Sequence, residues 1–96
     1  MSISRDKVQM HRLPTTPGEM LLKEFMEPNE ISARALARDL GVPPNRITGI
    51  INGKRAITAD TAVLLEGRLG MPGEFWMNLQ SNYDLAVARQ RQAEAA

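Results

Sequence analysis

The sequence contains no cysteine and a single histidine, His11, among its 96 residues. The absence of cysteine excludes disulfide bonds, thiolate zinc sites and a thiol nucleophile. One histidine by itself cannot build a multi-histidine metal site, so we expect no metal and no cofactor. No stretch approaches the length of an apolar membrane span, and the first residues, MSISRDKVQMHRLP, lack the apolar core of a signal peptide. We therefore expect no membrane segment and a cytoplasmic location.

Signatures of catalysis are also missing. The sequence has no glycine-rich phosphate loop of a known spacing and no carboxylate pair whose placement can be predicted. Glu19 and Asp60 fall at expected helix starts, where capping and the helix dipole explain an acid. We therefore expect that the protein is not an enzyme.

The chain as a whole is nearly neutral, but its middle carries an excess of positive charge. Twelve Lys and Arg residues against eleven Asp and Glu residues give a net charge of +1. Residues 32–58 carry only one acid, Asp39, against five bases, so their local charge is +4. The five bases are Arg34, Arg38, Arg46, Lys54 and Arg55. A basic segment inside a neutral chain is the first place to look for a nucleic-acid surface.

Start and stop signals divide the chain into five short helices, and no segment reads as a confident strand. The start signals are Thr16-Pro17-Gly18-Glu19, Ser32, Pro43-Pro44, Thr58 and Pro72. The stop signals are Pro28-Asn29, Gly41, Asn52-Gly53 and Gly70. The sequence predicts an all-α domain at 16–88, with an N-terminal arm at 1–15 and a C-terminal tail at 89–96 that is either helical or frayed.

The second and third helices, within residues 32–52, have the spacing of a helix-turn-helix, in which a short turn containing glycine joins two helices. Ala37 lies where the helices would cross, and Gly41 lies in the turn, where a positive φ is expected. The residues expected to fill the core between the helices are Leu36, Leu40, Val42, Ile47 and Ile50. A generic pair of antiparallel helices is the alternative, and the local charge of +4 favours DNA binding.

The N-terminal part of the second helix of such a motif enters the major groove of DNA. The residues predicted to contact DNA are Arg38, Pro44, Asn45, Arg46, Thr48, Gly49, Asn52, Lys54 and Arg55. Asn45 can pair with adenine and Arg46 with guanine, whereas Thr48 suits a thymine methyl group or a phosphate. Lys54 and Arg55 follow the helix and suit phosphates, as do Arg38 and Asn52. The alternative for each of these residues is a solvated surface side chain.

Three of the four aromatic residues lie between positions 75 and 83, in the fifth predicted helix. The large residues on one side of that helix are Phe75, Trp76, Leu79 and Tyr83. Such a concentration indicates either the centre of the core or an interface, and we expect Trp76 to be largely buried in one of the two. Asn78, Gln80 and Asn82 are polar but uncharged, which suits a packed polar contact better than an open surface.

Taken together, these motifs make the chain resemble the HigA-type antitoxins, also described as virulence-associated protein I, within the phage-repressor-like (Xre) helix-turn-helix family. The segments that carry the resemblance are 17–21, 32–42, 46–47, 50–55, 57–58 and above all 74–85, EFWMNLQSNYDL. The chain departs from the family pattern at Pro43-Pro44, where a Ser or Thr cap is usual, and at Met71-Pro72-Gly73, where Ser-Thr-Pro is typical.

The resemblance implies a five-helix, phage-repressor-like DNA-binding domain that forms a homodimer through its C-terminal part and binds a palindromic operator. It also implies neutralisation of a small HigB-type mRNA endonuclease toxin and repression of the chain's own toxin–antitoxin operon. Two alternatives stay open: a stand-alone repressor without a toxin, and a protein-interaction module that has lost DNA binding. Pro43-Pro44 supports the second alternative, because it removes a side-chain acceptor from the start of the recognition helix.

Overall fold

A computed structural model describes residues 13–95, which form five helices. We label Pro17–Met20 with its π-helical continuation Leu21–Met26 as α1, Ala33–Leu40 as α2, Pro44–Ile51 as α3, Ala59–Leu69 as α4 and Gly73–Ala95 as α5. Residues 13–95 contain no strand, and the predicted all-α class is confirmed. None of the helices in these residues has both the length and the hydropathy of a membrane span. Most of the predicted arm, with His11, lies outside the described residues.

Side-chain caps begin three of the helices where the sequence predicts them. Thr16 Oγ1 accepts a hydrogen bond from Glu19 N at 3.0 Å, while Glu19 Oε1 accepts one from Thr16 N at 3.1 Å. Ser32 Oγ accepts from the backbone N–H of Ala35 at 3.0 Å, and the Thr58 hydroxyl caps α4 in the same way. Each cap satisfies a backbone N–H that has no partner inside its helix, and contributes about 0.5–2 kcal/mol to stability.

Helix α1 differs from the regular helix that the sequence predicts, because it widens into a π-helix after its first turn. The backbone N–H of Glu27 donates to Leu22 O at 2.9 Å, and that of Ile31 donates to Met26 O at 2.8 Å, both five residues back. The apolar spacing of Leu21, Leu22 and Phe25 fits either kind of helix. Periodicity therefore could not reveal the wider turn.

The first turn of α1 packs directly against the backbone at the end of α3. A Cβ atom added to Gly18 would overlap the carbonyl oxygen of Ile50 and would lie 2.9 Å from Ile51 Cα. Only glycine permits this approach, so Gly18 fixes how α1 sits on the helix-turn-helix.

The core lies between all five helices. Its buried apolar residues are Leu21, Met26, Leu36, Ala37, Leu40, Ile47, Ile50, Ile57, Ala62, Leu65 and Trp76. Four of the five residues predicted to fill the space between α2 and α3 are in this set; the fifth, Val42, is half-buried at its edge. Burying one such large side chain contributes about 1.5–3 kcal/mol, so this cluster is the main source of stability.

Helix α5 begins one residue later than predicted, at Gly73, and runs on to Ala95. The backbone N–H of Gly73 donates to Glu66 Oε1 of α4 at 3.0 Å, which ties the start of α5 to α4. The division into a domain at 16–88 and a tail at 89–96 stays a prediction; residues 89–95 of that tail are helical.

Candidate nucleic-acid interface

Helices α2 and α3 form the predicted helix-turn-helix, and a glycine turn sets the angle between them. Gly41 has a φ of 74°, in the left-handed region. The N–H of Gly41 donates to Arg38 O at 3.2 Å, and the N–H of Val42 donates to Ala37 O at 3.0 Å. This pair of bonds is a Schellman motif, which satisfies the last carbonyl groups of α2. Ala37 is fully buried at the crossing, where a larger side chain would push α3 away.

The outward face of α3 is polar. Pro44, Asn45 and Thr48 are exposed on it, and Asn52 is exposed just beyond its end. The Thr48 hydroxyl lies 3.5 Å from Pro44 O and 3.4 Å from the carbonyl oxygen of Asn45. Both distances are long for a hydrogen bond from a hydroxyl group, so the Thr48 proton can turn outward to a phosphate. Asn45 makes no such bond within the described chain, and its amide is available to a base edge.

Arg46 and Gly49 are half-buried rather than exposed. Arg46 lies beside the start of α4, and Gly49 lies beside Arg55 of the following loop. Arg46 lines an open groove of about 390 Å³ together with Arg55 and Asp60. Its Nε atom is shielded from solvent and has no hydrogen-bond partner among the described residues. The stem of Arg46 is thus packed, which reduces the freedom that its guanidinium group would lose on binding.

The loop after α3 is folded back onto that helix. The carbonyl oxygen of Gly49 accepts hydrogen bonds from Lys54 N at 2.8 Å and from Arg55 N at 3.1 Å. A Cβ atom on Gly49 would lie 3.3 Å from Arg55 Cβ, so glycine leaves room for the loop to approach. Lys54 and Arg55 are exposed and are held beside the end of α3.

The positive charge of this region is not neutralised by neighbouring acids. Residues 13–95 contain two ion pairs, and neither involves Arg34, Arg38, Lys54 or Arg55, all of which are exposed. The acid of the region, Asp39, accepts from Arg68 Nε of α4 at 3.0 Å. The basic side chains of α2 and of the loop therefore remain available for phosphate groups.

The large residues near the start of α5 belong to the core and do not form an exposed strip. Trp76 is fully buried, which confirms the expected burial, and Phe75 and Leu79 are half-buried against the core. The Trp76 ring centre lies 5.0 Å from that of Phe75 and 5.3 Å from that of Phe25. The spacing within α5 could not indicate the third ring, because α1 supplies it from a distant part of the sequence. The indole N–H has no partner within the described chain, so Trp76 acts by packing.

Three residues that position the interface are not among the residues that the sequence predicts to contact DNA. Gly18 sets the place of α1, and Gln80 of α5 accepts a hydrogen bond from the backbone N–H of Ile57 at 2.8 Å. Asp84 in turn accepts one from the Gln80 amide. The uncharged polar set of α5 predicts a packed polar contact, and Gln80 makes one, whereas Asn78 and Asn82 are exposed.

Comparison with known proteins agrees with this geometry. Residues 22–76 match the helix-turn-helix family. The chain is 43% identical over 90 residues to virulence-associated protein I of Dichelobacter nodosus, covering 94% of this chain and 82% of that protein. It is 44% identical over 85 residues to antitoxin HigA-1 of Vibrio cholerae, covering 88% of this chain and 80% of that protein.

A solved structure is similar over most of the chain as well. The Pseudomonas aeruginosa antitoxin HigA with the higBA promoter superimposes with a TM-score of 0.82 at 40% identity, covering 85% of this chain and 89% of that one. The chain belongs to the helix-turn-helix family, within the group that includes the HigA antitoxins and virulence-associated protein I. This family consists of DNA-binding regulators and antitoxins and is not an enzyme class.

Proposed function

We propose that this chain is a DNA-binding antitoxin that represses its own toxin–antitoxin operon. In this proposal a homodimer binds a palindromic operator in the cytoplasm, and the same protein neutralises a HigB-type mRNA endonuclease toxin. Asn45 and Arg46 read base edges, Thr48 contacts a thymine or a phosphate, and Arg38, Asn52, Lys54 and Arg55 contact phosphates. Pro44 and Gly49 lie close to the DNA, and their small size lets the sugar–phosphate backbone approach α3.

The observation that carries the DNA-binding part is the exposed polar face of α3, together with exposed basic side chains on the helix before it and on the loop after it. Arg38 lies on α2, Lys54 and Arg55 follow α3, and none of them is in an ion pair within the described chain. Base-reading groups between phosphate-binding groups are what a major-groove helix needs. The HigA structure with promoter DNA supports this assignment by similarity.

The size of α3 supports the proposal of a dimer. A recognition helix of eight residues makes few base contacts, and two half-sites one helical turn apart, about 34–36 Å, double them. Leu85 is 48% exposed in the C-terminal part of α5, where a second copy would cover an apolar side chain. The toxin partner rests on similarity to the relative named antitoxin HigA-1.

A salt titration on DNA tests the repressor part. The duplexes are the region upstream of the gene and a scrambled sequence of the same composition. With about four phosphate contacts per protomer, the slope of log affinity against log salt for a dimer is expected near −7. The upstream duplex should bind more tightly than the scrambled one at every salt concentration. Affinity that is independent of salt, or equal for both duplexes, contradicts the proposal and leaves a protein-interaction module.

Co-expression tests the antitoxin part. A small basic open reading frame immediately upstream is the expected toxin gene; expressed alone it should arrest growth, and this chain should restore growth. The double variant Lys54→Ala, Arg55→Ala should still restore growth while losing repression, because neutralisation does not require DNA binding. If repression is specific but no neighbouring product binds the chain, the stand-alone repressor is the correct function.

A further inference from the structure

The loop between α3 and α4 is fixed at both of its ends by hydrogen bonds. At its start, Gly49 O accepts from the backbone N–H groups of Lys54 and Arg55. At its end, the backbone N–H of Ile57 donates to Gln80 Oε1 at 2.8 Å, across 23 residues of sequence. The second bond joins the loop that carries two basic residues to α5, in the centre of the motif EFWMNLQSNYDL.

Asp84 determines which way the Gln80 amide faces. Gln80 Nε2 donates to Asp84 Oδ1 at 2.9 Å, one helical turn further along α5. A carboxylate only accepts and a backbone N–H only donates, so the amide oxygen must face Ile57 and the amide nitrogen must face Asp84. The reverse orientation would place two donors together at Ile57 and two acceptors together at Asp84.

The contact lies beside a cavity of about 160 Å³ under the loop. Gln80, Tyr83 and Asp84 line its α5 side, and Lys54 and Arg55 line its loop side. The space beneath the two basic residues is therefore not filled by side-chain packing. The buried side chain of Ile57 anchors the end of the loop in the core, whereas hydrogen bonds hold Lys54 and Arg55 beside the cavity, and these two residues can shift if the bonds are broken.

We propose that Gln80, oriented by Asp84, is a positioning residue for DNA binding that holds the loop so that Lys54 and Arg55 meet successive phosphates. The inference rests on the proposed DNA-binding function and adds to it a link from α5 to the DNA surface. Neither Gln80 nor Asp84 contacts DNA. The phosphate contacts depend on them because the position of Ile57 sets the course of the residues before it.

Exchanging the amide and the carboxylate between positions 80 and 84 tests whether Asp84 orients Gln80. Gln80→Glu keeps an acceptor for Ile57 N but places a carboxylate against Asp84, so the side chain should turn away. Gln80→Glu combined with Asp84→Asn places the donor of the pair at position 84 and restores the net charge of the wild type. Ser81 is an exposed neighbour on α5, and Ser81→Glu adds the same charge without touching the hydrogen bonds of Gln80.

Three measurements are made below the melting temperature of every variant: exchange of the Ile57 amide proton, affinity for a scrambled duplex, and the salt slope. Gln80→Glu should speed the Ile57 exchange and weaken DNA affinity by about tenfold, and the salt slope should become shallower by about 1–2 for each protomer. The double variant should return to wild-type behaviour within about threefold, and Ser81→Glu should keep the wild-type exchange rate and slope.

The inference is overturned if Gln80→Glu has the same exchange rate and slope as Ser81→Glu, or if the double variant stays as weak as Gln80→Glu. If Gln80→Glu does not fold, Gln80→Met removes the same acceptor without adding charge and carries the same expectation. A wild-type chain that binds no duplex overturns the proposed function instead. If the wild type binds DNA well and a Gln80 variant binds it equally well, only this inference is overturned.

Discussion

At the scale of single residues, the proposed DNA contacts fall into two groups with different surroundings. Arg46 is half-buried, and its Nε atom is shielded beside α4, so its guanidinium group is held in one region of space. Lys54 and Arg55 are exposed on a loop. A held guanidinium suits bidentate recognition of one guanine, whereas exposed cations suit phosphates, which are alike at every base pair.

We therefore expect Arg46→Ala to weaken cognate binding by about 1–3 kcal/mol and to relax specificity at one base pair. Lys54→Ala and Arg55→Ala should weaken all sequences alike, and each should make the salt slope of the dimer shallower by about two, because each removes one cation from a phosphate in both protomers. Binding to the cognate site, to single-base variants of it and to a scrambled site measures the difference.

Lys23→Ala is the matched control for charge, because Lys23 is exposed on α1 and belongs neither to the proposed DNA contacts nor to α5. It should leave both affinity and specificity close to those of the wild type. Equal losses on cognate and scrambled DNA for Arg46→Ala would assign Arg46 to a phosphate instead of a base.

At the scale of elements, the contact between α1 and α3 depends on one missing side chain. A Cβ atom on Gly18 would overlap Ile50 O, which is backbone and cannot rotate away. We expect Gly18→Ala to force the two helices apart and to lower the free energy of unfolding by about 1–3 kcal/mol, the usual cost of overpacking. Urea unfolding followed by far-UV circular dichroism measures this change.

Gly67→Ala is the control for the glycine substitution itself. Gly67 lies within α4, and its added Cβ atom would meet nothing within 4 Å. Alanine there should raise the free energy of unfolding by about 0.5–1 kcal/mol, because glycine is a poor helix former. If both variants are stabilised, the close approach of α1 to α3 does not exist in solution.

At the scale of the whole molecule, the three rings of Phe25, Phe75 and Trp76 join the first helix to the last. Trp76 is fully buried at the centre of this contact, and truncation of a residue of this size costs about 3–5 kcal/mol. The stability of a domain of this size is about 5–10 kcal/mol. We expect Trp76→Ala to be poorly folded and to lose DNA binding although no proposed DNA contact is removed.

The fluorescence of the wild type checks the same burial directly, because Trp76 is the only tryptophan. Its emission should be blue-shifted and resist quenching by acrylamide. Val63→Ala, at a side chain that is 63% exposed, should leave emission, folding and DNA binding unchanged. Emission typical of indole in water, together with a folded Trp76→Ala variant, would contradict the core position.

The sequence alone determined the features that depend on near neighbours in the chain. The caps at Thr16, Ser32 and Thr58, and the glycine turn at Gly41, are decided within about four residues, since the bonds that form them span that distance. The period of the apolar residues predicted which face of α2 and α3 is buried. These local rules were enough for the helices, the helix-turn-helix and the burial of Trp76.

The three-dimensional fold sets which residues of separate helices meet. Phe25 joins the rings of α5, Gly18 lies against Ile50 O, and Gln80 accepts from Ile57 N. It also placed the start of α4 beside Arg46, which shields the Nε atom of that side chain from solvent. The physical reason is that local propensity fixes the helices, whereas packing fixes the distances between them. A long-range hydrogen bond or a close approach has no periodic trace in the sequence.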